Sequence, residues 1–383
     1  MPHHAMADSR CAAAMLVCCA CGREYPTNKP YWCCPCGGLL DLSFQPSFDL
    51  DAVRQRAPDL WRYREALPID HDESIVSFQE GFTPLTDVTF EGRSVLIKQD
   101  HLFPTGSYKD RGATILISKA RELGVSRVVE DSSGNAGCAV AAYSAAAGIG
   151  CDIYVPADSS AAKLSQIRLY GARVQPVAGS RADTARAALA AAAGHYYASH
   201  SWNPYFLHGT KTFAFEVCEQ LGWKPPDTVI FPVGNGTLLL GAALGFRELL
   251  KAGVIDSTPR FVAVQAAGCA PLHRVLKEDL STIPDMQSTK TMAEGIAIAR
   301  PIRGQQIIET IRASQGDIIV VEDAEIKASL YQMGGKGFCI EPTSAATTAG
   351  VTKYVQQRRD TAELIVAPIT GHGLKSPEKM VRL

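Results

Sequence analysis

Apolar runs rich in strand-forming residues alternate with helical stretches along most of this chain. Strands are predicted at 95–98, 127–130, 152–155, 228–233, 261–265, 317–321 and 364–367. Helices are predicted at 110–124, 134–147, 161–171, 181–194, 210–221, 237–253, 323–335 and 342–357. Because short links join each strand to the next helix, this order predicts an α/β fold of parallel sheets with helices on both faces.

The cysteines are concentrated near the start of the sequence, where two short motifs repeat. Cys18-Cys-Ala-Cys21 and Cys33-Cys-Pro-Cys36 are each followed by glycine. A tight turn of this kind aims two sulfurs at one ion, so the pair predicts one structural zinc bound by Cys18, Cys21, Cys33 and Cys36. Because the cysteines are doubled, Cys19 or Cys34 can replace a neighbour as ligand. A ribbon that has lost its metal and a redox-active cysteine pair are the alternatives.

A break near residues 205–210 divides the alternating region into two blocks. We predict a zinc-ribbon-like segment at 1–45, the first part of a large α/β domain at 46–125, a small α/β domain at 126–208 and the remainder of the large domain at 209–383. A ligand is expected in the cleft between the two parallel-sheet domains.

The charge balance argues against several classes of partner. The formal net charge is −1, and basic and acidic residues are equally frequent in the first 45 residues. This gives no electrostatic attraction to nucleic acid or to an anionic membrane, so the cysteine-rich segment is interpreted as a structural cap rather than a nucleic-acid adaptor. Neither a signal peptide nor an apolar run of about 18 residues is apparent, which predicts a cytoplasmic protein.

Two motifs between a strand and a helix contain candidate site residues. In Pro104-Thr-Gly-Ser-Tyr-Lys-Asp-Arg-Gly112, Lys109 lies at a helix start, where the helix dipole and the neighbouring Arg111 disfavour the ammonium form. This suits a lysine that attacks an aldehyde to form a Schiff base. In the segment 130–137, small residues expose backbone N–H groups to a substrate carboxylate; the candidates are Ser132, Ser133 and Gly134. A solvated charge run and an ordinary capped turn are the structural alternatives.

Two further motifs follow strands in the second block. The segment 232–238 predicts a phosphate-binding turn, formed by Gly234, Asn235, Gly236, Thr237 and Leu238. It lacks the Gly-Lys-Ser/Thr ending of a nucleotide-binding loop, and Leu239 takes the place of the third glycine of the dinucleotide motif. Thr370 lies after the last strand, at the end where α/β proteins build their sites.

Taken together, these motifs resemble the fold type II, tryptophan-synthase-β-like pyridoxal-phosphate enzymes, and within them the threonine synthases. The matching stretches are 104–112, 132–137, 201–216, 234–241, 341–345 and 370–375. The resemblance implies a homodimer that binds pyridoxal 5′-phosphate in the cleft, with Lys109 as the Schiff-base and catalytic lysine. It also implies that Asn135 contacts the phenolic oxygen, that residues 234–238 hold the phosphate and that Thr370 faces the pyridine nitrogen.

The implied reaction converts O-phospho-L-homoserine and water to L-threonine and phosphate by γ-elimination and β-addition. One position departs from the family, in which an arginine that grips the substrate phosphate stands at the place of Phe206. Ser201, Lys211 and Lys163 are the expected replacements. The alternatives are a cysteate-synthase-like β-replacement on O-phosphoserine, or an ammonia-lyase acting on serine, threonine or diaminopropionate. A regulatory homologue without turnover is disfavoured because the motif around Lys109 is intact.

Overall fold

The computed structural model describes residues 14–159, 161–286, 289–358 and 362–380. The strands are β1 (Met15–Cys18), β2 (Glu24–Pro26), β3 (Leu40–Ser43), β4 (Leu85–Phe90), β5 (Arg93–Lys98), β6 (Arg127–Glu130), β7 (Gly150–Pro156), β8 (Arg173–Val177), β9 (Tyr196–Tyr197), β10 (Thr228–Pro232), β11 (Arg260–Ala266), β12 (Asp317–Val321) and β13 (Ile365–Pro368). Every strand predicted from the alternating pattern is present. β4, β8 and β9, which the pattern did not predict, are short strands or lie at a sheet edge.

Helices separate most of these strands. They are α1 (Leu50–Gln55), α2 (Lys109–Glu122), α3 (Asn135–Ala147), α4 (Ala161–Leu169), α5 (Arg181–Ala191), α6 (Pro204–Thr210), α7 (Thr212–Gln220), α8 (Thr237–Lys251), α9 (Pro271–Lys277), α10 (Gly304–Ala313), α11 (Asp323–Gly335), α12 (Pro342–Gln357) and α13 (Pro377–Met380). Short 3₁₀ turns lie at 60–66, 72–74, 100–102, 294–296 and 373–375. Within the part of the chain that the structure describes, no helix has both the length and the apolar character needed to cross a bilayer.

The larger sheet has six strands in the order β12-β11-β10-β13-β5-β4. All neighbours are parallel except β4 and β5. The two-residue turn at Glu91 and Gly92 has positive φ angles of 49° and 80°, which is the geometry that joins antiparallel strands of a hairpin. The sequence-based prediction of a purely parallel sheet is therefore wrong at this edge, and the sheet is mixed.

The smaller sheet has four strands in the order β8-β7-β6-β9, and all of its pairs are parallel. Its strands lie between residues 127 and 197. Helices α3 and α5 follow β6 and β8 along the chain, and α3 is buried along most of its length. This sheet has the parallel architecture expected from the alternating pattern.

The N-terminal strands form a separate antiparallel sheet in the order β2-β1-β3. This sheet docks against the end of β9 and the segment after it through Trp32, whose ring centre lies 5.1 Å from that of Tyr197 and 5.8 Å from that of Trp202. The buried Arg303 adds hydrogen bonds to Asp41 and to the carbonyl oxygen of Trp202. The N-terminal sheet is therefore held against the rest of the molecule by edge-to-face ring contacts and by one buried guanidinium. Residues 1–13, with Cys11, lie outside the described residues.

Residues 205–210, near which the sequence predicts a break, belong instead to the buried helix α6. This helix crosses α2 at very close range, because a Cβ atom built on Gly209 would lie 2.0 Å from the carbonyl oxygen of Arg111. Glycine is required at the crossing because any larger residue would push the two backbones apart. The contact positions α2, and with it Lys109, against the helix that follows the four-stranded sheet.

We predict that Gly209→Ala destabilises the protein by about 1–3 kcal/mol, because overpacking at a tight helix crossing forces backbone shifts. The matched control is Gly334→Ala in α11, where a Cβ atom would meet nothing within 4 Å. Removing a glycine from an open helical position should leave the protein equally stable or raise its stability by about 0.5–1 kcal/mol. Denaturant unfolding of both variants measures the difference, and equal stabilities would contradict the proposed role of the crossing.

Candidate active site

A cavity of about 760 Å³ opens between the two larger sheets. It is lined by the loops that follow β5, β6, β10 and β13, which is the end of a parallel sheet where ligands bind. The predicted site residues that line it are Lys109, Ser132, Ser133, Gly134, Asn135, Gly234, Asn235, Gly236 and Thr370. Motifs from both blocks of the sequence therefore meet at one place.

Lys109 is the first residue of α2 and extends its amine into this cavity. Its Nζ lies 3.5 Å from Thr237 Oγ1 and 4.7 Å from the centre of the Tyr108 ring. The neighbouring Arg111 guanidinium is fully buried between the carboxylates of Asp100 and Glu216. The immediate surroundings of the amine are therefore the start of α2, the Thr237 hydroxyl and the Tyr108 ring.

The segment 234–238 forms a turn that leads into α8. Gly236 has a φ of +70°, and a Cβ atom there would lie 2.3 Å from Ile307 Cδ1, so only glycine fits. Thr237 and Leu238 begin the helix and are buried below the cavity surface, with their side chains outside its lining. The first N–H groups of a helix have no partner within the helix, so this turn can bind a phosphate through its backbone.

Two hydrogen-bonded pairs fix the opposite wall. Asn135 Nδ2 donates to both carboxylate oxygens of Glu341 at 3.1 Å. Thr370 Oγ1 lies 3.3 Å from Ser344 Oγ, which also accepts hydrogen bonds from the backbone N–H groups of Thr370 and Gly371. Residues 341–345 were matched by sequence without a role, and the structure shows that they hold Asn135 and the Thr370 loop in place.

Sequence reasoning gave no role to the pair formed by Glu130 and His200. His200 lines the cavity, and its Nδ1 lies 2.8 Å from Glu130 Oε1. Its Nε2 lies 3.2 Å from Asn235 Nδ2. Burial raises the pKa of Glu130 well above its usual range, and burial lowers the pKa of His200 well below its usual range. The one signal in the sequence was an acidic residue at the end of a buried strand.

Two predicted substrate contacts are placed outside the cavity. Lys211 is fully buried and forms an ion pair with Glu248 at 2.8 Å, because α6 turns it toward α8 rather than toward the cleft. Ser201 is also outside the lining, and its carbonyl oxygen accepts a hydrogen bond from Arg303 Nε. The side chain of Lys163 lies outside the described residues. The expectation that Ser201 and Lys211 bind the substrate stays a prediction from the sequence, and these positions do not support it.

Phe206 is also turned away from the cavity. Its side chain is completely buried, and a Cβ atom on Gly112 would lie 2.4 Å from its ring. The ring centre lies 5.6 Å from Lys109 Nζ, so Phe206 forms part of the packing beneath the lysine. A cation for the substrate phosphate has to come from another part of the chain.

Among the described residues that line the cavity, the lysines and arginines are Lys109, Arg181, Lys375 and Lys379. Lys375 Nζ donates to Thr105 O and to Gln166 Oε1 at 2.6 Å, which links α4 to the opposite wall. Lys379 Nζ forms an ion pair with Glu294 at 3.0 Å. No hydrogen bond or ion pair of the Arg181 guanidinium is present among the described residues. Sequence reasoning missed Arg181 because it lies in an exposed, Ala-rich helix.

The cysteine cluster lies in the small N-terminal sheet, apart from the cavity. The Sγ atoms of Cys18, Cys21, Cys34 and Cys36 all lie within 4.8 Å of one another. Cys34 takes the place predicted for Cys33, because the tight turn begins at Cys34, where Gly37 N–H donates to the Cys34 carbonyl oxygen. Tyr25 Oη lies 2.9 Å from Cys34 Sγ, which places a hydroxyl next to this sulfur.

Comparison with known proteins gives a family and a set of relatives. The sequence profile of pyridoxal-phosphate dependent enzymes matches residues 76–371. A threonine synthase from Methanocaldococcus jannaschii is 36% identical over 379 residues, which cover 95% of this chain and 94% of that protein. A threonine synthase from Methanosarcina acetivorans is 35% identical over 381 residues, which cover 96% of this chain and 93% of that protein. A threonine synthase from Mycobacterium tuberculosis H37Rv is 35% identical over 332 residues, which cover 84% of this chain and 89% of that protein.

Solved structures share the fold at lower sequence identity. Maize serine racemase superposes with a TM-score of 0.67 at 22% identity, covering 79% of this chain and 93% of that one. The processed form of threonine deaminase isoform 2 from Solanum lycopersicum superposes with a TM-score of 0.68 at 21% identity. The superposition covers 88% of this chain and 90% of that one. At this identity the likeness concerns the architecture alone.

We predict that Lys109→Ala abolishes turnover and removes the visible absorbance of a lysine-bound cofactor, because Lys109 supplies the attacking amine. The matched control is Lys251→Ala, an exposed lysine at the end of α8 that should leave both unchanged. Activity of the Lys109 variant above about one thousandth of the wild-type rate, at equal thermal stability, would contradict the assignment.

Proposed function

The chain belongs to the threonine synthase family of pyridoxal-phosphate-dependent enzymes, and from this premise we propose that it converts O-phospho-L-homoserine and water to L-threonine and phosphate. It is a lyase that acts on a carbon–oxygen bond to phosphate. The observation that carries this proposal is the meeting of Lys109, the glycine turn at 234–236 and Asn135 in one cavity of a chain that is 36% identical to a threonine synthase over 95% of its length.

The residues of the cavity fit pyridoxal phosphate. Lys109 would hold it covalently, the turn around Gly236 would take its phosphate, and Thr370 would meet its pyridine nitrogen. The turn offers backbone N–H groups at a position where a side chain would be excluded by Ile307, which is the form of site that an anion requires. Bound pyridoxal phosphate supplies an electron sink that stabilises negative charge at the substrate Cα.

Lys109 is proposed as the base that moves protons on the substrate. Its amine removes a proton first from Cα and then from Cβ, because it stands at the start of α2 with its Nζ directed into the cavity. Thr237 Oγ1 and the Tyr108 ring orient the amine once it is free. Ser132, Ser133 and Gly134 precede α3 and are proposed to bind the substrate carboxylate with the N–H groups of that turn.

The proposed reaction is tested by measuring phosphate and amino-acid products together on a panel of substrates. The expected result is equal release of phosphate and threonine from O-phospho-L-homoserine, with little turnover of O-phosphoserine, serine or threonine. Turnover of a three-carbon substrate without threonine formation would assign the chain to the β-replacement or ammonia-lyase alternatives.

We assign the substrate phosphate to Arg181. A dianionic phosphate in a partly dry cleft needs a cation, and Arg181 is the cavity arginine for which the described residues provide no partner. It starts α5, behind the N-cap Ser180. Its charge acts on both His200 and Glu130, and His200 lies beside Asn235.

We predict that Arg181→Gln raises KM for O-phospho-L-homoserine about tenfold or more, because a charge-assisted contact to phosphate contributes about 1.5–3 kcal/mol. The matched control is Arg186→Gln in the same helix, whose guanidinium pairs with Asp183 outside the cavity. Steady-state kinetics of both variants provide the measurement, and equal KM values for the Arg181 and Arg186 variants would refute the assignment.

We propose that Cys18, Cys21, Cys34 and Cys36 bind one structural zinc ion. Four sulfurs within mutual reach form a complete tetrahedral set, so no position is left open for catalysis. The ion would brace the N-terminal sheet that docks on the segment at 197–202 through Trp32.

We predict that Cys34→Ser lowers the zinc content of purified, reduced protein from one ion per chain, whereas Cys33→Ser leaves it unchanged. The two cysteines are adjacent in sequence, so this pair separates the ligand set from general disturbance of the turn. Elemental analysis gives the zinc content. Loss of zinc in the Cys33 variant alone would restore the ligand set expected from the sequence.

The cytoplasmic location, the homodimer and the four-segment division of the chain remain predictions from the sequence.

A further inference from the structure

Three polar side chains form a continuous hydrogen-bonded connection between the four-stranded sheet and the glycine turn, which we call the polar bridge. Glu130 ends β6, His200 follows β9, and Asn235 lies in the turn that leads into α8. Glu130 Oε1 lies 2.8 Å from His200 Nδ1, and His200 Nε2 lies 3.2 Å from Asn235 Nδ2. The bridge therefore joins elements on the two sides of the cleft through side chains alone.

The direction of these hydrogen bonds follows from the groups involved. The amide nitrogen of Asn235 can only donate, so His200 Nε2 accepts from it. Burial, Lys109 and Arg181 lower the pKa of His200, which keeps the imidazole neutral with a single N–H. That N–H is then on Nδ1 and donates to Glu130 Oε1, which can accept it whether or not the carboxyl group is ionised.

The first two members of the bridge are closed off from solvent. Glu130 has no exposed surface, and His200 is only 6% exposed. The His200 ring also packs edge-on against Phe206, with 6.0 Å between ring centres. A ring that turned away from its partners here would leave a buried polar nitrogen without a hydrogen bond, which is costly. The imidazole is therefore held in one orientation and in one tautomer.

Asn235 is the member of the bridge with hydrogen-bonding capacity to spare. It is partly exposed and lines the cavity at the glycine turn. One N–H of its amide is taken by His200, and the described residues provide no acceptor for the other. The backbone N–H groups of 234–236 are likewise without a partner in the described part of the chain. Several unused donors therefore remain together at this turn, as the binding of an anionic group requires.

We propose that Glu130 and His200 are positioning residues that orient the amide of Asn235 toward the phosphate of pyridoxal phosphate. This rests on the proposed placement of that phosphate at the glycine turn. With the amide nitrogen fixed toward His200, its second N–H is the group available to a phosphate oxygen. Released from His200, the amide turns freely, and its carbonyl oxygen competes for the place of the donor. The bridge thus supplies a donor that is already oriented before the anion binds.

Two aldehydes separate this role from general support of the fold. Pyridoxal lacks the phosphate but keeps the aldehyde that Lys109 takes up, so its binding does not use the turn. The ratio of the dissociation constant of pyridoxal to that of pyridoxal 5′-phosphate therefore measures the contribution of the phosphate contacts. General disturbance of the cleft raises both constants and leaves the ratio unchanged, whereas loss of the polar bridge lowers the ratio.

The test titrates the full-length protein, freed of cofactor, with the two aldehydes and follows the visible absorbance of the lysine-bound form. We expect His200→Phe, which keeps a ring but removes both nitrogens, to lower the ratio about tenfold. Glu130→Leu should lower it by a similar factor, because the imidazole then loses its acceptor. Glu130→Gln should keep the ratio within about threefold of wild type, since its amide oxygen still accepts from Nδ1–H. The two Glu130 variants test the bridge without any change to the ring.

A matched control and a double-mutant cycle complete the experiment. His195→Gln, an exposed histidine in the segment before β9, should change neither constant. In an Asn235→Ala background, His200→Phe should change the ratio by less than about twofold, because the amide that His200 orients is gone.

Two results would overturn the polar bridge and leave the proposed function intact. One is an equal fall of the ratio in His200→Phe with and without the Asn235 amide, and the other is an equal fall in Glu130→Gln and Glu130→Leu. A wild type that binds pyridoxal as tightly as pyridoxal 5′-phosphate would overturn the placement of the phosphate at the turn, and the bridge with it. The reaction itself is tested separately by the substrate panel, because this titration contains no substrate.

Discussion

A buried network of four charges at the start of α2 holds the site together. Arg111 donates to both carboxylate oxygens of Asp100 and of Glu216, and Lys98 completes the group by an ion pair with Glu216 at 2.7 Å. The network joins β5, the loop after it, α2 and α7 without any exposed atom on Lys98, Arg111 or Glu216. Removing one partner of such a group leaves an uncompensated buried charge, which costs about 3–5 kcal/mol. Because Lys109 lies two residues before Arg111, its position depends directly on this network.

The N-terminal sheet and the candidate site are linked through Arg303. Its guanidinium is buried and donates to Leu40 O and Asp41 on one side and to Ser201 O and Trp202 O on the other. His200, whose ring lines the cavity, is the residue before Ser201. The cysteine cluster thus lies outside the cavity lining, but Arg303 connects its sheet to the segment that carries the imidazole. This gives the N-terminal sheet a positioning role that needs no contact with substrate.

The cleft collects groups that lie far apart in the chain because the carboxyl ends of parallel strands meet there. β6 brings Glu130, β10 brings the turn at 234–236, and β13 brings Thr370. Helix starts at Lys109, Asn135 and Thr237 point their unpaired N–H groups and dipoles toward the same space. Lys375 then spans the opening to Gln166, so the two walls are joined at the rim by one hydrogen-bonded ammonium.

The sequence by itself determined the alternating α/β order, the lysine at the start of α2 and the glycine turn, because each depends on residues within a few positions of one another. It did not determine the antiparallel edge strand, the cysteine at which the second turn begins, or the direction in which Lys211, Ser201 and Phe206 face. The first two depend on the geometry of individual turns, whereas the directions of the three side chains depend on how α6 packs between α2 and α8 and on where the N-terminal sheet docks. The same packing brings Glu130, His200 and Arg181 together from three separate elements, and no local pattern encodes that meeting.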